Sequence, residues 1–354
     1  MSSVKRRLLE FLKSYQGSYI PQSHIHRALG VSKSRVSEIL RELELEGLIA
    51  RTSIGRSKVV YVKPGLSERH AEPDYKSLRV GIVYSSEYLF LGGFVKRLAK
   101  RGFRVEVLVY RDGLKATRAL AEDEVHAALS PLVGQLYLYP TYRTYRVVLG
   151  GLSGGLRVLY REGSSRVYST VISTMDYARW RALSRGLIEA SHTVYYSDPS
   201  TLALLASSGG YVVTWHPVYL ELEKHGFRAL YTPGDLEVEF CCVLGVSNTL
   251  SRRELGVVVM AYYESLEEYL RSPDKYLDYY SVTTGVDVSV LRSAVREYRV
   301  QRELGARVVD RVLQGYAPSV PSREVYYEAT MQGEQAEWLD RSPESDCSWC
   351  FKVV

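Results

Sequence analysis

The sequence predicts an α/β protein, with a small basic helical module closed by a β-hairpin, then a polar linker, then a much larger two-lobed α/β domain. Three observations carry this. Charge is concentrated at one end: residues 1–65 hold twelve Lys and Arg against five Glu, a net of +7, while the remainder of the 354 residues nets −1. The hydrophobic pattern changes at Leu78, from helical stripes to apolar strands alternating with helices. Between the two lies "KPGLSERHAEPDYKS", residues 63–77, with two prolines and no apolar period. The expected boundaries are 1–65 for the basic module, 66–77 for the linker, 78–314 for the large domain and 315–354 for a C-terminal extension.

In the basic module Val4, Leu8, Phe11 and Leu12 recur at helical spacing, and Gly17 ends that helix. Pro21 suits a helix first turn, and Ile25, Ala28 and Leu29 make a short second helix that stops at Gly30. "GVSKS" then supplies a tight turn with Ser32 as N-cap, and Val36, Ile39, Leu40 and Leu43 form the buried stripe of a third helix. "IARTSI" and "KVVYV" flank "GRS" as a hairpin whose tip carries Arg56 and Lys58. His24 and His26, on the second helix, are expected to be exposed or to face phosphates.

The run "ALGVSKSRVSEILRELELEGLIAR" resembles the winged helix-turn-helix domains of MarR-type and Lrp-type regulators over about 60 residues. A recognition helix of this kind fits a major groove. Ser34, Arg35 and Ser37 are then candidates for base contacts, with Ser32 at the helix start, and Lys33, Arg41, Arg51, Arg56 and Lys58 for phosphate contacts. Winged helices also serve as protein-interaction modules; the +7 charge and the basic wing favour double-stranded DNA.

In the large domain "LRVGIVYS" is a strand, "YLFLGGFVKRLAKRG" a helix, "FRVEVLVYR" a strand, "LKATRALAEDEV" a helix and "HAALS" a strand, the pattern of a mostly parallel, doubly wound sheet. "GGLSGG", residues 150–155, lacks the Lys-Ser/Thr of a phosphate loop and reads as a flexible crossover. A strand then ends at "ISTMD", where a helix capped by Ser173 or Thr174 begins, a natural anion site. A second strand and helix series follows, from "HTVYYSD" to "FRALYTPG". "EVEFCCVLGVSN" returns as a strand, and three helices close the domain, the last read as one element over residues 287–315.

Two α/β lobes with a crossover out and back resemble the type 2 periplasmic-binding-protein fold, and more narrowly the binding proteins for nitrate, sulfonate and thiamine precursors. The residues that carry this are "STMD", "YYSDPSTLALLASSGGYVVTWHPVYLELEKHG" and "SPDKYLDYYSVTTGVD", within a resemblance of about 220 residues from Leu78. The resemblance implies a cleft lined by Ser85, Ser86, Glu87, Ser130, Ser153, Gly154, Ser173, Thr174, Asp176, Tyr196, Asp198, Trp215 and His216. Such a lining suits a small anion or a polar heterocycle. Joined to a winged helix, it looks like an archaeal-type transcriptional regulator, similar in architecture to LysR-type regulators but without their long dimerising linker helix.

The function expected is a ligand-responsive, DNA-binding regulator, a homodimer or higher homo-oligomer with no cofactor and no metal, and not an enzyme. An enzyme on this fold would use His216 as an acid-base group, but no second catalytic partner stands at a recognisable spacing. A redox or metal sensor would use Cys347 and Cys350 in "DCSWCF". No apolar run has the ~20 residues that span a bilayer, and "MSSVKRRLLEFLK" interleaves charge with apolar residues, so a cytoplasmic location is expected. Asn248 is the lone asparagine, and such scarcity of thermolabile amides beside abundant charge points to a hyperthermophile.

Overall fold

The computed structural model describes residues 3–54, 57–63, 76–301 and 308–312. The wing-tip Arg56, most of the linker, and the extension with Cys347 and Cys350 lie outside them. In chain order the elements are α1 (Ser3–Lys13), β1 (Tyr19–Pro21), α2 (Gln22–Leu29), α3 (Lys33–Leu45), β2 (Ile49–Ile54), β3 (Ser57–Val62), β4 (Lys76–Val83), α4 (Leu91–Lys100), β5 (Phe103–Tyr110), α5 (Gly113–Ala121), β6 (Ala127–Pro131), α6 (Leu132–Tyr142), β7 (Tyr145–Gly154) and β8 (Leu156–Arg161). There follow β9 (Arg166–Ser169), α7 (Thr174–Ser184), β10 (His192–Tyr195), α8 (Leu202–Leu205), β11 (Gly210–Trp215), α9 (Val218–Lys224), β12 (Arg228–Tyr231), β13 (Cys242–Ser247), α10 (Arg252–Arg271), α11 (Leu277–Thr284), α12 (Val288–Ala294) and β14 (Tyr298–Gln301). No helix among the described residues is long and apolar enough to cross a membrane.

The chain divides into two compact units. The first joins Met1–Val80, Tyr84–Val109 and Val257–Glu297; the second holds Gly81–Val83, Tyr110–Gly256 and the chain from Tyr298 on. In the first, α1, α2 and α3 bury Leu8, Leu12, Ile25, Val36, Ile39, Leu40 and Leu43 completely, the stripes that the 3.6-residue period marks. The hairpin of β2 and β3 is extended by β1, so the small sheet runs β1-β3-β2, antiparallel throughout. Pro21 ends β1 and caps α2 rather than entering its first turn. Within the same unit α10 lays Tyr262 edge-on against Phe90 and Phe94, with ring centroids 5.6 and 6.0 Å away. Arg97 of α4 donates to Glu264 at 3.1 Å and to Glu268 at 2.6 Å. Burial works to raise the Glu268 pKa, but hydrogen bonds from Lys275 and Arg97 outweigh it and hold the carboxyl at about 2.

The second unit has two sheets. One runs β14-β7-β13-β6 and then the Gly81–Val83 end of β4; the other runs β10-β9-β11-β8-β12. They are mixed rather than mostly parallel: β10, β9 and β11 are parallel, while β8 is antiparallel to β11 and β12, and β13 to β6 and β7. "GGLSGG" is no flexible crossover. It is the end of β7, pairing with β13 and β14, and the chain passes to β8 through Gly154 and Gly155, both at positive φ. One element goes unread in the sequence and one expectation fails, each for an identifiable reason. α6, "LVGQLYLYPTY", has no helical apolar period and contains Pro140, so nothing marks it as a helix. The long final helix stops at Ala294, and "YRVQ" becomes β14 because β7 offers it a free edge from Gly151 to Gly154.

Candidate functional site

Two sets of candidate side chains are assembled, one in each unit. In the first, Ser32 caps α3 by accepting from the Arg35 N–H at 3.3 Å, and the helix presents Ser34, Ser37 and Arg41 on its exposed face. The hairpin stands beside it. Between them runs a groove of about 660 Å³ lined by Gln22, Ser34, Ser37, Glu38, Arg41, Glu44, Arg51, Thr52, Ser53 and Lys58. Five of the sequence-selected residues thus share one surface, and Lys33 stands exposed at the start of α3.

Two of the selected cations are partly committed within the module. Arg51 donates to Glu44 through Nε at 2.7 Å, and that hydrogen bond holds the Glu44 carboxyl below its usual range. Arg35 pairs with Glu38 at 2.6 Å. Arg41 and Lys58 are exposed and point no such bond at a neighbour among the described residues.

His24 corrects an expectation. It is 6 % exposed, not a phosphate-facing side chain. Its Nε2 lies 3.2 Å from the Tyr15 hydroxyl, and its ring packs 5.7 Å from that of Tyr276. Burial first, then Lys96, Lys275 and Arg27, lower its pKa to about 4. Around it the helical module rests on α4 and α11. Lys96 stands 5.8 and 5.5 Å from the Phe11 and Tyr15 ring centroids, and Arg27 pairs with the buried Asp278 at 2.6 Å. Since Arg27 is more than half exposed, the pair is screened on one side. Arg27→Met is expected to destabilise the protein by about 1 kcal/mol. In a urea-melt double-mutant cycle with Asp278→Asn, the paired loss should be smaller than the sum of the single losses.

Ser85, Ser86 and Glu87, just past β4 and part of the first unit, are buried; the Ser85 hydroxyl accepts from the Glu87 N–H and its carbonyl from the Tyr280 hydroxyl at 2.8 Å.

In the second unit the "STVISTMD" turn is the polar centre. Ile172 adopts φ +48°, and Ser173 caps α7 by accepting from the Asp176 N–H at 3.2 Å. The Thr170 and Ser173 hydroxyls lie 2.7 Å apart, and Thr174 donates to the Cys241 carbonyl at 3.0 Å. A helix start lined with hydroxyls is suited to oxyanion groups. Nearby, Tyr196, just past β10 with its backbone N–H on the Ser169 carbonyl, and Trp215, at the end of β11, stack with centroids 6.3 Å apart at 14°. His216 donates its N–H to the Gly155 carbonyl at 2.7 Å.

Other selected residues are bound into the scaffold. Asp176 accepts from Arg179 at 2.6 Å and from the Tyr195 hydroxyl at 3.1 Å. Ser130 accepts from Gln135 at 3.0 Å. Asp198, partly exposed, caps the short turn Pro199–Thr201, and its bonds to Ser200 lower its pKa. Ser153 pairs with Arg299 where β7 meets β14. Sequence reasoning missed Thr170, Gln135 and the placement of Cys241 beside this turn. The only signal for Gln135 was α6 itself, which has no period to announce it.

A family model described as a domain of unknown function, DUF7343, matches residues 1–63. A sequence search of curated proteins finds no significant match. Among solved structures the chain is similar to the periplasmic aliphatic sulphonate binding protein SsuA from Escherichia coli, with 16 % identity over 72 % of this chain and 87 % of that one, at a TM-score of 0.55. It is similar also to the alkanesulfonate-binding protein SsuA from Xanthomonas axonopodis pv. citri bound to MOPS, with 17 % identity over 74 % and 99 % and a TM-score of 0.57. A ligand-binding component of an ABC-type import system from Staphylococcus aureus, with zinc bound, shares 14 % identity over 72 % and 99 %, with a TM-score of 0.58. At these identities the likeness is one of fold. The protein is therefore an α/β chain with a small N-terminal helix–strand unit and a two-lobed type 2 periplasmic-binding-protein-like domain.

Proposed function

We propose that this protein is a ligand-responsive transcriptional regulator. The observation that carries it is the groove between α3 and the hairpin, where Ser34, Ser37, Arg41, Arg51 and Lys58 share one face of a module with net charge +7. The arrangement supports α3 as the element that enters a major groove, with Ser34, Arg35 and Ser37 at base edges and Arg41, Arg51 and Lys58 on phosphates. The type 2 binding fold supports a small-molecule effector. The hydroxyl-lined start of α7 beside Tyr196 and Trp215 suits an oxyanion such as a sulfonate, the class bound by two of the similar structures. In this reading the domain binds its ligand without turning it over, the protein works in the cytoplasm as a dimer, and ligand acts through differential affinity for two conformations.

The test is selection of duplexes from a random pool by the full chain, followed by fluorescence anisotropy on the enriched sequence over a range of salt. Arg41→Ala combined with Lys58→Ala is expected to weaken binding roughly 10- to 100-fold and to flatten the log–log salt slope by about 2. A pool that yields no enriched sequence, or a double variant with unchanged affinity and slope, sinks the proposal. Repeating the titration with a sulfonate such as MOPS tests the effector class.

A further inference from the structure

Cys241 and Cys242 are consecutive residues at the start of β13. In a regular extended chain neighbouring side chains leave opposite faces, which holds consecutive sulfurs well apart. Here the two Sγ atoms lie 3.8 Å apart, both side chains are buried, and neither is in a disulfide. The backbone that permits this is pinned on both sides. The Cys241 N–H donates to the Leu152 carbonyl at 3.0 Å, and its carbonyl accepts from the Leu132 N–H at 3.2 Å and from the Thr174 hydroxyl at 3.0 Å. Leu132 and Thr174 are the first residues of α6 and α7, so the starts of two helices hold the Cys241 carbonyl in place.

Two thiolates on one tetrahedral cation with metal–sulfur bonds of about 2.3 Å stand about 3.8 Å apart. We propose that Cys241 and Cys242 form a vicinal dithiolate site for a thiophilic divalent cation of the zinc class. Binding displaces one proton from each thiol as two metal–sulfur bonds form, so the cation and two thiolates leave a neutral complex in a buried place. Bare thiolates there would be strongly disfavoured. The pair fills two coordination positions of the cation. Two packed, inert sulfurs are the competing account. That account gives no affinity for metal, and the proposal stands whether or not the chain binds DNA.

The experiment uses the reduced full-length chain carrying Cys347→Ser and Cys350→Ser, so that the C-terminal thiols contribute nothing. It is titrated with cadmium(II), whose thiolate complexes give a charge-transfer band in the ultraviolet. One equivalent should saturate the band, zinc(II) should compete it away, and affinity should fall steeply as pH drops. Adding Cys241→Ser or Cys242→Ser should each weaken binding roughly 100-fold or more while the metal-free thermal melt holds. Absence of the band in the parent overturns the proposal, as does a band of equal affinity in both serine variants. Should a serine variant fail to fold, zinc protection of the two thiols against an aromatic disulfide reagent in the parent decides: protection supports the site, and equal reactivity with and without zinc overturns it.

Discussion

Gly155→Ala is expected to destabilise the protein by about 3 kcal/mol or more, seen as a large fall in the urea midpoint of the second unit. Gly155 has φ +67°, where an L side chain costs about 1 kcal/mol or slightly more. A Cβ there would stand 2.1 Å from Cζ of Tyr298, far inside contact distance. The ring cannot easily give way. Tyr298 is buried, its hydroxyl reaches the His216 carbonyl at 3.4 Å, and its strand, β14, is paired with β7. Overpacking of this kind adds a few kcal/mol to the backbone strain. Two comparisons separate the terms. Gly30→Ala, at φ +63° with nothing within 4 Å of the new Cβ, should show the strain alone, about 1 kcal/mol. Tyr298→Ala should recover most of the steric loss when combined with Gly155→Ala, although it creates a cavity of its own. Equal effects for Gly155→Ala and Gly30→Ala would show that the tyrosine moves aside.

Acidification from pH 6.5 to pH 4 is expected to remove about 3 kcal/mol of stability through His24 alone. Its pKa falls from 6.5 in the unfolded chain to about 4 in the fold, so between these values the unfolded state binds the extra proton. The contribution is fully present above pH 6.5 and is lost as pH falls toward 4. Glu268, with its carboxyl at about 2, has its contribution in a lower window: present above about 4.5 and lost toward pH 2. The two windows barely overlap, so urea melts at pH 7, 5.5 and 4.5 report mainly on the histidine. His24→Phe keeps an aromatic ring against Tyr276 and removes the proton. Whatever it does to stability at pH 7, it should flatten the slope between pH 7 and 4.5, and equal slopes in both proteins would exclude His24 as the source.

His24 also shows how far sequence reaches. On a short, polar helix its residue type suggests a solvated ring, and only the packing of the helical module against α4 and α11 buries it. Arg27 with Asp278 and Lys96 with Phe11 are separated by 251 and 85 positions in the chain, and no local period links them. The same holds for Ser130, whose hydroxyl is claimed by Gln135 from a helix without helical patterning.

The sequence by itself determined the amphipathic helices of the basic module, the Ser32 cap, a cap at Ser173 or Thr174, the hairpin, and the alternation that gives a two-lobed α/β domain. These are local: a period of 3.6 or 2, a serine before a helix, a glycine after one. It also placed Ser34, Ser37 and Arg41 on one face of α3, because an amphipathic helix with a buried stripe leaves one face for the rest, while only the fold brings Arg51 and Lys58 of the hairpin beside them. The tertiary structure alone decided that the sheets are mixed, that "GGLSGG" and "YRVQ" are strands, and that Cys241 and Cys242 turn their sulfurs together. Strand direction and edge pairing depend on which segments meet after the chain has crossed between sheets, and the cysteine geometry depends on hydrogen bonds of Cys241 with Leu132, Leu152 and Thr174, none of them within 65 residues of it.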